Sequence, residues 1–285
     1  MKPATRLRMT FYILLGIGLV LVVGALVLRS AGDGLFYYPD SRTRATPADY
    51  GIAAAEDVRF AAPDGPELHG WWLPAEAAES RGTVVYCHGN AANLTAHAAY
   101  IAWLPKHGYS VLLFDYRGYG RSAGKVTRAG TVADAVAAID YALARDPDRT
   151  VVFGHSLGGA VGVVAAAQRP AVRGVLAEST FANYRAIAQS KARVFSSLVP
   201  FFVSQGHDPD AVVASLAPRP LLVIHGDRDD VVPHRFGQDL FDAAADPKEL
   251  WIVPGAPHVS PWTLVPREFE RRFDKFFDAA LASPR

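Results

Sequence analysis

The sequence predicts an α/β fold in which a mostly parallel β-sheet is covered on both faces by helices. Two observations carry that expectation. From residue 83 onward, short runs rich in β-branched residues alternate with longer stretches of helical periodicity, the rhythm of strand-helix-strand units. Half of the 285 residues are hydrophobic and only 20% are charged, enough apolar material to bury a sheet from both sides in one large domain.

The chain opens with Lys2, Arg6 and Arg8 and then carries no charge from Met9 to Leu28. As a helix that run would span about 30 Å, enough to cross a bilayer core. A cleaved signal peptide is the competing reading, but the run exceeds the usual apolar core, and Arg29-Ser30-Ala31-Gly32 is a poor cleavage site. Residues 1–34 are therefore expected to be a membrane anchor with a transmembrane helix over about 9–28. The basic residues in front of it keep the N-terminus cytoplasmic and the main domain extracytoplasmic, periplasmic if the source is bacterial. Residues 35–57, with Phe36-Tyr37-Tyr38-Pro39, read as an aromatic linker, and 58–285 as the catalytic domain.

Within that domain, 58–73 reads as a hairpin turning at Asp64-Gly65. Strands are expected at 83–87, 110–114, 151–153, 172–177, 221–225 and 249–253. Helices are expected near 94–106, 131–144, 160–167, 234–245 and 264–281. Residues 181–217 break the rhythm; rich in Phe195, Leu198, Val199, Phe201 and Phe202, they read as a small cap inserted above the sheet. The one cysteine, Cys87, ends an apolar strand and reads as a buried structural thiol. A net charge of +1 with no basic stripe beyond the N-terminus argues against nucleic acid as a partner.

The chemistry centres on Thr150-Val-Val-Phe-Gly-His-Ser-Leu-Gly-Gly159, a strand, a sharp turn and a small-residue helix with Ser156 at the apex. Glycine on both sides suits a strained turn that lifts the hydroxyl clear of the sheet. A serine hydroxyl is a weak nucleophile, so a base must take its proton and a third group must orient that base. His258 follows the last strand in a Gly/Pro-rich loop, C-terminal to the serine and to every candidate acid, and is the expected base. The acid lies in the turn after 221–225, where Asp227, Asp229 and Asp230 compete and local chemistry does not choose among them. Oxyanion donors are expected from the backbone N–H groups of Leu157, at the helix start, and Asn90, in the loop after 83–87. His155 reads as turn-forming, His88 and His225 as ring donors to neighbouring loops. The remaining histidines lack metal-ligand spacing, and the chemistry requires no metal or organic cofactor.

With these residues assembled, the chain resembles the α/β-hydrolase superfamily, and within it the membrane-anchored serine hydrolases related to depalmitoylating α/β-hydrolase-domain proteins and their bacterial relatives. The resemblance rests on His88-Gly-Asn-Ala-Ala-Asn93, Asp115-Tyr-Arg-Gly-Tyr-Gly-Arg-Ser122, Gly154-His-Ser-Leu-Gly-Gly159, His225-Gly-Asp-Arg-Asp-Asp-Val-Val-Pro233 and Pro254-Gly-Ala-Pro-His258. It implies an α/β-hydrolase fold with a small helical cap. The family pattern Gly-x-x-Asp-x-x-Val-Pro falls on Gly226, Asp229, Val232 and Pro233, which selects Asp229 as the acid. Pro257 departs from the family by standing where a glycine precedes the base, stiffening that loop. The implied activity is hydrolysis of esters or thioesters through an acyl-Ser156 intermediate on a small-molecule, lipid-like or acylated substrate. A serine peptidase or amidase would use the same residues, and a catalytically silent membrane-tethered interaction protein is the alternative of another class.

Overall fold

The computed structural model describes residues 34–52 and 54–283, together with 12, 14–19, 23, 24 and 32. Much of the expected transmembrane span, 9–28, lies outside the described residues. Among those described, no helix is long and apolar enough to cross a membrane.

Among the described residues, ten strands follow one another: β1 (Tyr38–Pro39), β2 (Glu56–Ala61), β3 (Glu67–Leu73), β4 (Gly82–Cys87), β5 (Ala91–Ala92), β6 (Tyr109–Phe114), β7 (Thr150–His155), β8 (Val175–Glu178), β9 (Leu221–Gly226) and β10 (Lys248–Val253). Eight of them form one sheet in the order β10-β9-β8-β7-β4-β6-β3-β2. From β10 to β6 every pairing is parallel, while β3 runs antiparallel to both β6 and β2. The expected mostly parallel sheet is thus present, with the hairpin 58–73 forming its antiparallel edge. Parallel pairing also brings the carboxyl ends of β4, β7, β8, β9 and β10 to one edge, where ligand sites of such sheets lie.

Strand alternation divides the core in two. On one face, Val85, Cys87, Leu112, Phe114 and Val152 pack against the helices Arg128–Leu143 and Leu157–Ala167. On the other, Val84, Tyr86, Leu113, Val151 and Phe153 meet the closing helix Pro266–Ala282. That helix buries Phe269, Phe273, Phe276, Phe277 and Ala280, one stripe at helical spacing. Burial of Cys87 pushes its thiol up to about 12, in keeping with an inert structural role.

Arg117 ties the sheet edge together. It makes a fork of hydrogen bonds to Asp134 on the helix Arg128–Leu143 (2.8–3.1 Å) and a second to Asp64 in the hairpin turn (2.5 and 2.7 Å). Ser122 adds bonds to Asp115 O and from His69 N. The Asp115–Ser122 stretch therefore braces the fold.

Two expected elements differ. The single helix expected over 94–106 is a short helix, Leu94–His97, continued by 3₁₀ turns at Ala98–Tyr100 and Pro105–His107. Asn93 caps its start through Thr95 N, and Pro105 brings no N–H to continue a ladder. The strand expected from 172 begins only at Val175. The expected cap region holds the helices Tyr184–Ala192 and Val199–Phe202 joined by a 3₁₀ stretch, Arg193–Leu198.

The expected linker lies on the domain surface. Tyr38 N donates to Asn90 O (2.8 Å) and Asp40 N to Ala92 O (3.1 Å), so β1 pairs with β5. Phe36 sits edge-on to Tyr184 of the cap, ring centroids 5.1 Å apart.

Candidate active site

Ser156 stands between the end of β7 and the first residue of the helix Leu157–Ala167, at φ 52° and ψ −126°. Side chains rarely adopt that backbone conformation, and the surroundings enforce it. A Cβ on Gly154 would fall 2.3 Å from Gly158 O, and one on Gly158 would fall 2.0 Å from Cys87 O. Only glycine lets the chain double back this tightly. Ser156 N donates to Glu178 O (2.8 Å) and Ser156 O accepts from Thr180 Oγ1 (2.7 Å), which fixes the turn to the end of β8.

His258 arrives from the loop after β10. Its Nε2 lies 3.1 Å from Ser156 Oγ and its Nδ1 lies 2.7 Å from Asp229 Oδ2. A carboxylate only accepts, so Nδ1 carries the proton and Nε2 is left to accept from the serine hydroxyl. The sequence left three aspartates open on local chemistry, and their surroundings now separate them. Asp229 is buried, 5% exposed, whereas Asp227 and Asp230 face solvent. Asp227 Oδ1 instead accepts from Gly255 N (2.6 Å), holding the 254–258 loop. Asp229 Oδ1 accepts from Val231 N (2.9 Å) and Val232 N (2.7 Å), and its Oδ2 also lies 3.2 Å from His225 Nε2. Burial raises the pKa of this carboxyl, but hydrogen bonds from His225, His258 and the Val232 amide outweigh it and hold the group below its usual range. His225 Nε2 also lies 2.7 Å from Val232 O, the loop contact expected of it.

The helix beginning at Leu157 leaves its first N–H groups without intrahelical acceptors, beside the serine. Asn90 lies in the loop after β4, and its carbonyl accepts from Tyr38 N (2.8 Å) and Tyr119 Oη (2.7 Å). Those two bonds fix the Asn90–Ala91 peptide, directly after the expected donor N–H, and come from the linker and the Asp115–Ser122 stretch respectively.

Beneath this loop lies a buried group of rings that sequence reasoning did not assemble. His155 bonds Tyr86 Oη through Nδ1 and packs near His97 and Tyr100, with ring centroids 5.1 and 5.2 Å away. A Cβ on Gly89 would come within 2.8 Å of His155 Nε2, so the ring is the floor on which the Gly89-Asn90 loop rests. Burial drives the His155 pKa well below its usual value and keeps the ring neutral beside the serine. His88 donates through Nδ1 to Gly89 O (2.7 Å) and stacks on His97. Glu178, at the end of β8 opposite His155, was also missed; burial first, then the Asp229 charge, push its carboxyl up to about 8. Among the described residues, no group of three or more His, Cys, Asp and Glu side chains could hold a metal ion.

A family model described as serine aminopeptidase, S33, matches residues 78–219. The Escherichia coli protein YfhR, described as uncharacterised, is 35% identical over 241 residues, 80% of each chain. The Arabidopsis thaliana α/β-hydrolase domain-containing protein WAV2 is 29% identical over 272 residues, 87% of each chain. The chain belongs to the α/β-hydrolase superfamily. Among solved α/β-hydrolases, an esterase of Pyrococcus furiosus, Pf2001, superposes with a TM-score of 0.72 at 25% identity, over 85% of this chain and 97% of that one. As an α/β-hydrolase the chain is a hydrolase, and its esterase neighbour shares the sheet that carries the Ser156 turn.

Proposed function

We propose that this α/β-hydrolase cleaves carboxylic ester or thioester bonds through an acyl-Ser156 intermediate. The observation that carries the reading is the unbroken hydrogen-bonded line from Ser156 Oγ through His258 to Asp229. In the first half-reaction His258 Nε2 takes the hydroxyl proton as Ser156 Oγ attacks the carbonyl carbon. The resulting imidazolium is stabilised by the Asp229 carboxylate. The carbonyl oxygen, now an oxyanion, is held by the Leu157 and Asn90 N–H groups. His258 then returns its proton to the leaving alcohol or thiol as the acyl-oxygen or acyl-sulfur bond breaks. In the second half-reaction His258 deprotonates a water molecule that attacks the acyl-serine, releasing the acid and restoring Ser156. The esterase likeness supports esters as the substrate class.

Replacing Ser156 by Ala tests the assignment. Hydrolysis of short p-nitrophenyl esters falls at least a thousandfold, toward the residual catalysis of the oxyanion site and binding alone. A variant as fast as the parent refutes it, and a folded parent protein that takes no fluorophosphonate on Ser156 would favour the silent interaction protein instead. The description of the matching family as a serine aminopeptidase favours amide cleavage as the second reading. Turnover of aminoacyl p-nitroanilides faster than the matching esters would select it.

The same proposal places the domain on a membrane through residues 9–28, with the catalytic part outside the cytoplasm. In support, the described residues of that run are helical and expose Tyr12, Leu14, Leu15, Ile17, Leu19 and Val23 to their surroundings. Protein that washes off membranes at alkaline pH would refute the anchor, and protease resistance of the domain in spheroplasts would refute its orientation.

A further inference from the structure

Three consecutive residues, the last of β8 and the two that follow it, each bond a different point around the Ser156–His258 pair. Glu178 O accepts from Ser156 N (2.8 Å), and Thr180 Oγ1 donates to Ser156 O (2.7 Å). Between them, Ser179 Oγ accepts from the N–H of Val259, the residue directly after His258 (3.2 Å). The outer two residues therefore hold the nucleophile, and the middle one holds the loop of the base.

That loop is tied on both sides of His258. Before the histidine it is bonded to the turn that carries the acid: Gly255 N donates to Asp227 Oδ1 (2.6 Å) and Arg228 N to Ala256 O (3.1 Å). After the histidine the tie goes to Ser179. Ser260 Oγ donates back to Pro257 O (2.8 Å), which closes the chain around His258. A loop fixed only on the acid side could pivot there. The second tie runs to the same segment that holds Ser156, and His258 Nε2 stands 3.1 Å from Ser156 Oγ.

Both partners in that second tie carry unusual backbone. Ser179 and Val259 each have a φ of 50°, a region that few side chains adopt and β-branched ones least of all. Such residues persist where their surroundings over-determine them, and they cluster at active sites. Ser179 is fully buried, Val259 is buried, and Ser179 N donates to Ile224 O of β9 (2.8 Å). Glycine at 179 would relieve the strain and keep that backbone bond. The fold alone does not ask for the hydroxyl, whereas the buried Val259 N–H needs an acceptor.

We propose that Ser179 is a positioning residue of this hydrolase: through Val259 it sets where His258 stands relative to Ser156. The inference rests on the serine-hydrolase reading for what His258 does, and on the backbone ties for where it stands. A misplacement of about 1 Å at a reacting group costs about a hundredfold in rate. Loss of the Ser179 hydroxyl is accordingly expected to lower kcat about ten- to hundredfold and to leave KM within about twofold.

Ser179→Ala and Ser179→Gly in the full chain separate this role from a structural one. Both remove the acceptor, but only glycine also removes the strain, so Ser179→Gly should melt at or above Ser179→Ala. With p-nitrophenyl butyrate both are expected to show the kcat loss at unchanged KM. A folded Ser179→Gly protein whose kcat stays within about twofold of the parent, or recovers in step with its melting temperature, overturns the proposal. The parent's turnover then keeps the hydrolase reading. A second readout needs no turnover. In protein carrying isotope-labelled histidine, the His258 Nδ1 proton bonded to Asp229 gives a downfield resonance, assigned by its loss in His258→Ala. In Ser179→Gly that resonance is expected to broaden or to exchange faster with water, and an unchanged resonance overturns the positioning role. A parent that hydrolyses no ester, but whose resonance responds to Ser179→Gly, refutes the hydrolase and upholds the tie from Ser179 to His258.

Discussion

Replacing Asp229 by Asn changes a single oxygen to an amide nitrogen, and the surroundings of the carboxylate dictate how the amide must sit. Oδ1 accepts from Val231 N at 2.9 Å and Val232 N at 2.7 Å. An amide nitrogen turned toward those two donors would leave buried N–H groups facing one another, so the amide oxygen stays there. The nitrogen then replaces Oδ2, 2.7 Å from His258 Nδ1, and donates to it. His258 must accept at Nδ1 and carry its proton on Nε2, the atom 3.1 Å from Ser156 Oγ. The ring keeps its place but can no longer receive the serine proton. Loss of the acid in this way costs about 10⁴ in kcat in a serine hydrolase of the same logic, which is about 5 kcal/mol of barrier. The assay is single-turnover acylation by p-nitrophenyl butyrate, with fluorophosphonate labelling of Ser156 as a second readout and thermal melting as the check on folding. A folded Asp229→Asn protein that acylates within tenfold of the parent would refute the tautomer argument and the choice of Asp229 as the acid.

Two further outcomes follow from buried charge. Burial and the Asp229 charge push Glu178 up to about 8 in the folded protein, from an ordinary carboxyl value of 4.5. Between those values the folded state holds a proton that the unfolded chain has released, so this group makes folding less favourable as pH rises through that window and leaves the full penalty above it. Glu178→Gln removes the dependence: its melting temperature should exceed the parent's by several degrees at pH 9 and match it near pH 4, and an equal shift at both would refute the account. Arg117→Ala leaves Asp134 buried without its cation and should destabilise by roughly 3–5 kcal/mol. Urea unfolding checks this, and the double variant Arg117→Met/Asp134→Leu should recover most of the loss.

What the sequence made legible was local. The Ser156 turn declares itself because three glycines within six residues have no other use so tightly spaced, and His258 because its loop follows the last strand. The acid was less accessible: Asp227, Asp229 and Asp230 share one turn, and only burial and partners separate them. A family pattern supplied what local chemistry could not. The floor beneath the oxyanion loop was hidden altogether, since Tyr86, His97, Tyr100 and His155 come from three separate segments and meet only when β4 and β7 pair. The pairing of β1 with β5 joins two residues to two others some fifty positions later, too short to leave any periodicity. The helix expected over 94–106 failed for a related reason: its apolar content was read as one amphipathic run, while Pro105 and the turns before it divide it into three pieces.

The β1–β5 pairing bears on where this enzyme can be cut. A chain trimmed to begin at Glu56 would retain all eight strands of the main sheet and each of Ser156, Asp229 and His258. It would nevertheless lose the Tyr38 N donor to Asn90 O, leaving that carbonyl only Tyr119 Oη, the Asp40 N donor to Ala92 O, the Asp40 carbonyl that Gly120 N and Asn93 Nδ2 bond, and the Phe36 wedge against Tyr184. Residues 36–40 and the sheet domain are consequently not separable modules. Residues 36–40 are also the last piece of masonry beside the Asn90 loop, and isolating the sheet domain by removing them would dismantle part of what was to be isolated.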